Sequence, residues 1–376
     1  MDQSIVRKQL GLLFLSTYEQ WAGGLIYILN LIRALNLLED SQKPSLIIFH
    51  GFESPLSDIR SINYPYIQFK QVNSPSIIGK IFLRCKRVIT GKAAFYSALP
   101  ETVYPYNKYV FLGKKPIYWI PDFQEWYLPH MFSEAEIKKR KTHQSEIADS
   151  GGKVVLSSQD ALNDFKKFYP ESKCELRLLR FASLLPDFSH LDIDAIREKY
   201  SLEGTYFMSP NQFWAHKNHI LVLKAISSLK KYNLDFKVVF TGSPSDYRNS
   251  GFFKQLEEYV ELHQIGPWVK FLGFIDRLDQ LCLMKNARAI IQPSLFEGWS
   301  TVVEDAKAMN QFIMLSDLPV HKEQADANCI FFERNSEKGL AALIQQFTLS
   351  KPSITKIDYG KNIREFSETI IKVLQH

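Results

Sequence analysis

Phe296-Glu297-Gly298-Trp299-Ser300-Thr301-Val302-Val303-Glu304-Asp305-Ala306-Lys307-Ala308-Met309 is the stretch that decides the fold. The apolar run before it, Ala289-Ile290-Ile291, reads as a buried strand. After Glu297-Gly298, Ser300 and Thr301 stand where a helix begins, and a second acid, Glu304 or Asp305, follows one turn in. A strand that turns tightly into a helix N-terminus aims unpaired backbone N–H groups and the positive end of the helix dipole at one point, an anion site. Carboxylates on either side of that cradle can accept hydrogen bonds from the hydroxyls of a sugar and a ribose. Acid, phosphate cradle, acid is an order that suits a nucleotide-sugar. Read alone, the segment is equally a capped helix whose acids sit near its N-terminus for dipole reasons.

A second segment lies upstream: Ser209-Pro210-Asn211-Gln212-Phe213-Trp214-Ala215-His216-Lys217-Asn218-His219. It follows the strand-like Tyr206-Phe207-Met208 and precedes an amphipathic helix over 220–229. Together the two segments resemble the motifs of family-four retaining glycosyltransferases (glycosyl transferases group 1), which have the GT-B fold. The resemblance spans roughly 206–324 and is only architectural before residue 116. In that family two acids are separated by seven residues, and here the count from Glu297 reaches Asp305, with Glu304 beside it. An Asp therefore stands at the family's second Glu; either acid can hold the ribose, Asp305 by register. The family also places an Arg and, six residues on, a Lys against the donor diphosphate. Lys217 matches the Lys, whereas Asn211 occupies the Arg position and can donate a hydrogen bond but not neutralise phosphate. His216 or a basic residue from the other half of the chain is the candidate for the missing charge. Without the resemblance, Lys217 is a solvated lysine at a helix start.

The residues at the N-terminal end read as a first strand over 12–15, a loop from Ser16 to Ala22, the pair Gly23-Gly24, and a long apolar-periodic helix through Leu38. A glycine pair between strand and helix lets the backbone approach a ligand closely, or simply closes the loop. By resemblance this loop meets donor and acceptor, with Glu19, Gln20 and Trp21 suited to sugar hydroxyls and rings. An apolar run over 116–120 then ends in Pro121-Asp122, where many members of the family have His-Asp. Polar groups with a function gather at strand C-terminal ends in open α/β sheets. Asp122 is thus the candidate polar group near the reacting sugar, or a loop acid capping the helix that starts near Ser133. The turn Gly273-Phe274-Ile275 ends another strand and, by resemblance, lies beside the base.

The resemblance implies a catalytic set of Glu297, Asp122 and Lys217. The donor-binding set adds Gly23, Gly24, Asn211, His216, Phe274, Ile275, Gly298, Trp299, Ser300, Thr301, Val302, Glu304 and Asp305. It also implies front-side displacement, in which the leaving phosphate helps deprotonate the acceptor, so no protein nucleophile is named. No metal site is read. His216 and His219 lack a third ligand at a suitable spacing, and Asp192-Ile193-Asp194 reads as a helix cap. The nucleotide-sugar is a co-substrate, and no cofactor is expected.

Length, composition and alternation agree. At 376 residues the chain accommodates two α/β domains, and 45% hydrophobic residues supply two cores. Strand-like and helix-like segments alternate throughout, with strands expected at 12–15, 46–49, 116–120 and 153–156, then at 206–208, 237–241, 269–272, 289–292 and 313–315. The expected architecture is α/β: two Rossmann-like domains (GT-B) facing across a deep cleft. They span 1–190 on the acceptor side and 203–360 on the nucleotide-sugar side, and a C-terminal helix in 361–376 crosses back to the first. Cys85, Cys174, Cys282 and Cys329 show no paired spacing, which suits buried thiols in a reducing compartment. With no signal peptide and no membrane-length apolar run, the expectation is cytoplasmic. Net charge is +6, and 77–89 patterns as a basic amphipathic helix, either a domain helix with a solvated face or a surface for an anionic bilayer at the inner membrane face. Lys138-Lys139-Arg140-Lys141 reads as an exposed helix face. Interleaved basic and aromatic platforms are lacking, so nucleic acid is not an expected partner.

The function expected is transfer of a hexose from a nucleotide-sugar, UDP-glucose or similar ahead of GDP-mannose, to a surface-polysaccharide or lipid-linked oligosaccharide acceptor. Two alternatives keep the fold: a nucleotide-sugar epimerase or phosphorylase, and a non-catalytic nucleotide- or polysaccharide-binding scaffold. A dinucleotide oxidoreductase is disfavoured because no Gly-x-Gly-x-x-Gly follows the first strand.

Overall fold

The computed structural model describes residues 7–15, 18–72, 100, 102–106, 115–246, 248–249 and 251–374, without the side chains of 18–22 and 115. The basic stretch 77–89 and the thiol of Cys85 lie outside these residues. The chain divides into two units: 1–121, 141–182 and 360–376 form the first, and 122–140 with 183–359 the second.

In the first unit, β1 (Gln9–Phe14), β2 (Ser45–His50), β3 (Ile67–Gln71), β4 (Thr102–Tyr104), β5 (Lys115–Ile120), β6 (Lys153–Leu156) and β7 (Glu175–Leu178) form one sheet in the order β3-β2-β1-β4-β5-β6-β7. Every pairing is parallel, for example Leu12↔Ile48 and Leu12↔Tyr104. The central strands are sealed on both faces, which is why they read as continuous apolar runs. The helix Tyr18–Asn36 starts earlier than the sequence suggested, and Gly23 and Gly24 lie inside it rather than in the preceding loop. The flanking segment Leu25–Leu35 is apolar enough to carry the helix through both glycines. The helix Gly360–Leu374 lies against it, burying Phe366, Ile370 and Val373.

In the second unit, β8 (Tyr206–Ser209), β9 (Lys237–Thr241), β10 (Val269–Gly273), β11 (Ile290–Gln292), β12 (Ile313–Ser316) and β13 (Cys329–Phe332) follow the order β10-β9-β8-β11-β12-β13, all parallel. Successive side chains go to opposite cores. Phe207, Phe240, Ile291 and Met314 pack on one face; Met208, Val239, Ile290 and Ile313 pack on the other. The strand order reverses between β8 and β11, paired at Met208↔Ile290. In open α/β sheets ligands bind beyond the strand C-termini at such a switch point. Both segments singled out from the sequence leave the sheet there.

Four strands escaped the sequence reading: β3, β4, β7 and β13. Three are sheet edges with half-exposed patterns, and β4 is three residues long. The cap at Asp192 is present, its side chain accepting from the Asp194 N–H. Ser133 and Glu136 form a capping box at the helix Glu134–Ala148, so that cap is not Asp122. Lys138 and Lys139 are exposed on that helix. Cys174, Cys282 and Cys329 are free thiols. Among the described residues no helix is long and apolar enough to cross a membrane.

Candidate active site

The loop after β8 is anchored before it reaches Lys217. Phe213 is fully buried against Phe253, Phe271 and His219. The backbone of Gly242, at φ +141°, lies against the loop, and a Cβ there would sit 2.3 Å from the Asn211 carbonyl oxygen. A short 3-10 turn, Ala215–Lys217, leads to Asn218 in the left-handed region, whose amide donates to the carbonyls of Pro293 and Arg334 at 3.2 Å. The Leu295 N–H donates to the His216 carbonyl at 2.8 Å. The loops after β8 and β11 are thus fastened together, and Lys217 meets Glu297 across 80 residues of sequence.

The Lys217 ammonium lies 2.6 Å from Glu297 Oε1, with the two side chains 16% and 8% exposed. The same oxygen accepts from Ser294 Oγ at 2.6 Å and Gln292 Nε2 at 2.8 Å. Burial alone would push the Glu297 carboxyl up, but the Lys217 charge and these bonds outweigh it and hold it below the ordinary carboxylate range. Oε2 makes no bond among the described residues, and Lys217 spends one of its three N–H protons. The pair therefore keeps one acceptor and two donors for a ligand.

Asp122 belongs to this unit and lies close enough to Glu297 and Lys217 to feel both charges. Burial pushes its carboxyl up, Arg140 and the Gln124 N–H oppose that, and Glu297 adds to the rise. Its Oδ1 accepts from Gln124 N at 3.2 Å, a two-residue turn that leads into the short helix Gln124–Tyr127. Tyr127 stacks on Phe296 with ring centroids 5.5 Å apart, which ties this segment to the decisive stretch.

At the helix Thr301–Ala308 the Ser300 hydroxyl is the N-cap and accepts from Val303 N. The Ser300 N–H, expected to face phosphate, instead donates to Gln324 Oε1 at 3.1 Å. Gln324 returns a bond to the Ser300 carbonyl at 2.7 Å. Thr301 and Val302 keep their N–H groups without a partner among the described residues, so the anion cradle narrows to these two amides. Gly298 is buried, and Trp299 is partly buried.

Asn211 and His216 are both engaged within the protein. The Asn211 amide is buried and donates to Gln292 Oε1 at 2.8 Å, so it serves Glu297's support rather than a ligand. His216 is buried; desolvation and the nearby Lys217 and Arg248 charges press its pKa well down, so it is neutral and supplies no cation. Arg248 lies 3.4 Å from His216 Nδ1, paired with Asp246 at 3.1 Å and stacked near Trp214 and Phe132. His219 is sealed among Phe213 and Phe240, its pKa pushed down to about 3 by burial.

Glu304 and Asp305 are both engaged by the protein. Glu304 Oε1 accepts from Gln324 at 3.0 Å and Lys307 at 3.1 Å, and Oε2 from the Tyr359 hydroxyl. Burial raises its carboxyl despite these donors. Asp305 Oδ1 accepts from Ser183 Oγ and Oδ2 from Arg277, each at 2.6 Å. Tyr359 also accepts from the Ser183 N–H at 2.8 Å. Ser183 and Tyr359 are the residues at which the chain passes between its two units. Phe274 is exposed in the turn after Gly273, and Ile275 is partly buried. Gly23 and Gly24 belong to the first unit.

Sequence reasoning missed Gln292, Ser294, Arg277, Gln324, Ser183 and Tyr359. The first two carried a signal, since polar residues at the end of an apolar run sit at a strand C-terminus. Arg277 follows the Gly273 turn but carried no role in the sequence reading, and the other three are remote in sequence from what they touch.

Residues 192–366 match the family model described as glycosyl transferases group 1. The chain is 23% identical over 153 residues to the O-antigen chain mannosyltransferase RfbU of Salmonella typhimurium (strain LT2), an alignment covering 41% of each. It therefore spans about two-fifths of that relative's length. Among solved structures it resembles Anabaena Alr3699/HepE in complex with UDP and glucose (TM-score 0.65, 13% identity, 97% of each chain). It also resembles WaaG, a glycosyltransferase involved in lipopolysaccharide biosynthesis (TM-score 0.64, 13% identity, 98% of this chain and 99% of that one).

Proposed function

We propose, for a chain whose residues 192–366 match the glycosyl transferases group 1 model and whose two parallel-sheet units have the GT-B fold, a retaining hexosyltransferase. It moves a hexose from a nucleotide-sugar, UDP-glucose or similar, to a surface-polysaccharide or lipid-linked oligosaccharide acceptor, without a metal ion. The observation that carries this reading is the Lys217–Glu297 pair at the strand-order reversal, with Glu297 Oε2 and two Lys217 N–H protons left for a ligand.

In this reading Glu297 Oε2 accepts from a hydroxyl of the transferred sugar. Lys217 and the Thr301 and Val302 amides meet the diphosphate, where negative charge grows as the glycosidic bond breaks. Donors fixed by Asn218 and by the helix N-terminus need no reorganisation as that charge develops. Lys217 is then the one full positive charge on the diphosphate from these two loops, and the two amides do the work the family gives to its arginine. Asp122, raised by burial, sits by the sugar as a polar contact. The leaving phosphate takes the acceptor proton, so the chain needs no nucleophile of its own. The UDP found with HepE and the mannosyl transfer named for RfbU support a hexose donor of this class.

The scaffold reading draws on Asn211, which has no charge at the arginine position. Product analysis decides between them. Incubation with UDP-hexoses and lipid-linked acceptors should release UDP in step with acceptor glycosylation, the product keeping the donor's anomeric configuration. Donor binding without release would establish the scaffold, and release of a rearranged sugar the epimerase.

A further inference from the structure

A chain of hydrogen bonds runs across the C-terminal edge of the second sheet. Gln280 donates to Thr241 Oγ1, at the end of β9, at 3.2 Å. Arg277 donates through Nη1 to Gln280 Oε1 at 2.9 Å and through Nη2 to Asp305 Oδ2 at 2.6 Å. Asp305 completes the series by accepting from Ser183. Both acids at the ribose end of the motif are closed off. Asp305 and Glu304 are each 1% exposed, and all four of their oxygens already accept from protein donors. Neither can take a ligand's hydroxyl without forfeiting a charge-assisted bond in a buried setting, an unfavourable exchange.

Arg277 is the positively charged member of the series, and its side chain is 30% exposed. Its two engaged nitrogens fix the plane of the guanidinium, and three of its five N–H protons remain without an acceptor among the described residues. Phe274, 55% exposed, stands in the same turn beyond β10, three residues before Arg277 in the chain. The charge sits on the strand C-terminal side, where ligands of open α/β sheets bind.

We propose that Arg277, oriented by Asp305, reads the ribose of the donor by donating to its hydroxyl oxygens, and that the acid at the motif's end acts through it. This deepens the nucleotide-sugar reading and rests on it. The change is one of polarity. A carboxylate needs the ribose hydroxyl as donor, whereas a guanidinium needs the oxygen as acceptor. Asp305, a methylene shorter than Glu, leaves room for that guanidinium in between.

Calorimetric titration of the full chain with UDP, GDP and their 2′-deoxy and 3′-deoxy counterparts tests this. The wild type should bind one ribonucleotide and bind a deoxy counterpart about ten- to a hundred-fold more weakly, the loss of one bond to a charged group. In Arg277→Ala that ratio should fall close to one, while Arg277→Lys, which keeps a donor, retains part of it. If the acid reads the ribose directly, Arg277→Ala frees it and the deoxy penalty persists or grows, which overturns the proposal. Equal weakening of ribo- and deoxynucleotides in Arg277→Ala would reduce Arg277 to a structural brace and overturn it too. So would a wild type that does not distinguish the two sugars. A wild type that binds no nucleotide refutes the nucleotide-sugar reading, and this proposal with it, before any variant is made.

Discussion

Replacing Lys217 with Ala should destabilise the second unit in a way that depends on pH and on Glu297. The ammonium lies 2.6 Å from a carboxylate that is 8% exposed. Removing one partner of a largely buried pair costs about 3–5 kcal/mol, and the partial exposure of Lys217 places the loss near about 3 kcal/mol. In the wild type the Glu297 carboxyl is held below its ordinary range, so it adds stability above that range that disappears as pH falls through the lowered value. Without Lys217, burial dominates and the carboxyl rises above its ordinary range. Its charge then destabilises the fold at neutral pH, and protonation relieves the cost as pH falls. Urea unfolding at pH 7.5 and pH 5 reads this directly: the gap between wild type and Lys217→Ala should narrow at the lower pH. Adding Glu297→Gln to Lys217→Ala should recover much of the lost stability but none of the transfer activity. A gap unchanged between the two pH values, or a double variant whose losses simply add, would refute the electrostatic account.

Gly242→Ala places a Cβ 2.3 Å from the Asn211 carbonyl oxygen at a backbone angle that L side chains rarely adopt, so a loss of several kcal/mol in thermal unfolding and a displaced Lys217 loop are expected. Asn211→Arg restores the family's residue but should weaken nucleotide binding. The buried site lacks room for a guanidinium, and Gln292 loses its partner; tighter binding by calorimetry would contradict this. Tyr359→Phe removes a donor from buried Glu304 and an acceptor from the Ser183 N–H, and should cost about 2 kcal/mol in chemical denaturation. An unchanged midpoint would show that this junction contributes nothing to stability.

The sheets were legible where burial on both faces gives unbroken apolar runs, as in Leu46–Phe49 of β2 and Ile313–Leu315 of β12. They were illegible at three of the four edges, as at β3 (Ile-Gln-Phe-Lys-Gln) and β7 (Glu-Leu-Arg-Leu), which alternate so that about half their side chains meet solvent. The helix at Tyr18 illustrates a different limit: Gly23-Gly24 looked like a loop because glycine penalises a helix, yet the packed apolar face after it overrides a penalty of about 1 kcal/mol each. At the site, strand–loop–helix order singled out Lys217 and Glu297. Their meeting depends on β8 lying beside β11, which spacing along the chain does not encode. The partners of Asp305 and Glu304 come from Ser183 and Tyr359, 122 and 55 residues away. Which acid is free for a ligand is therefore a property of packing, and packing leaves neither free.

Whether the Lys217–Glu297 site holds a nucleotide-sugar decides the function. Calorimetric titration of the wild type and Lys217→Ala with UDP- and GDP-hexoses, each with and without EDTA, measures this most directly. Saturable binding of one nucleotide-sugar, unaffected by EDTA and weakened at least about ten-fold in Lys217→Ala, is the predicted result. Binding that EDTA abolishes, or that Lys217→Ala leaves intact, would contradict it.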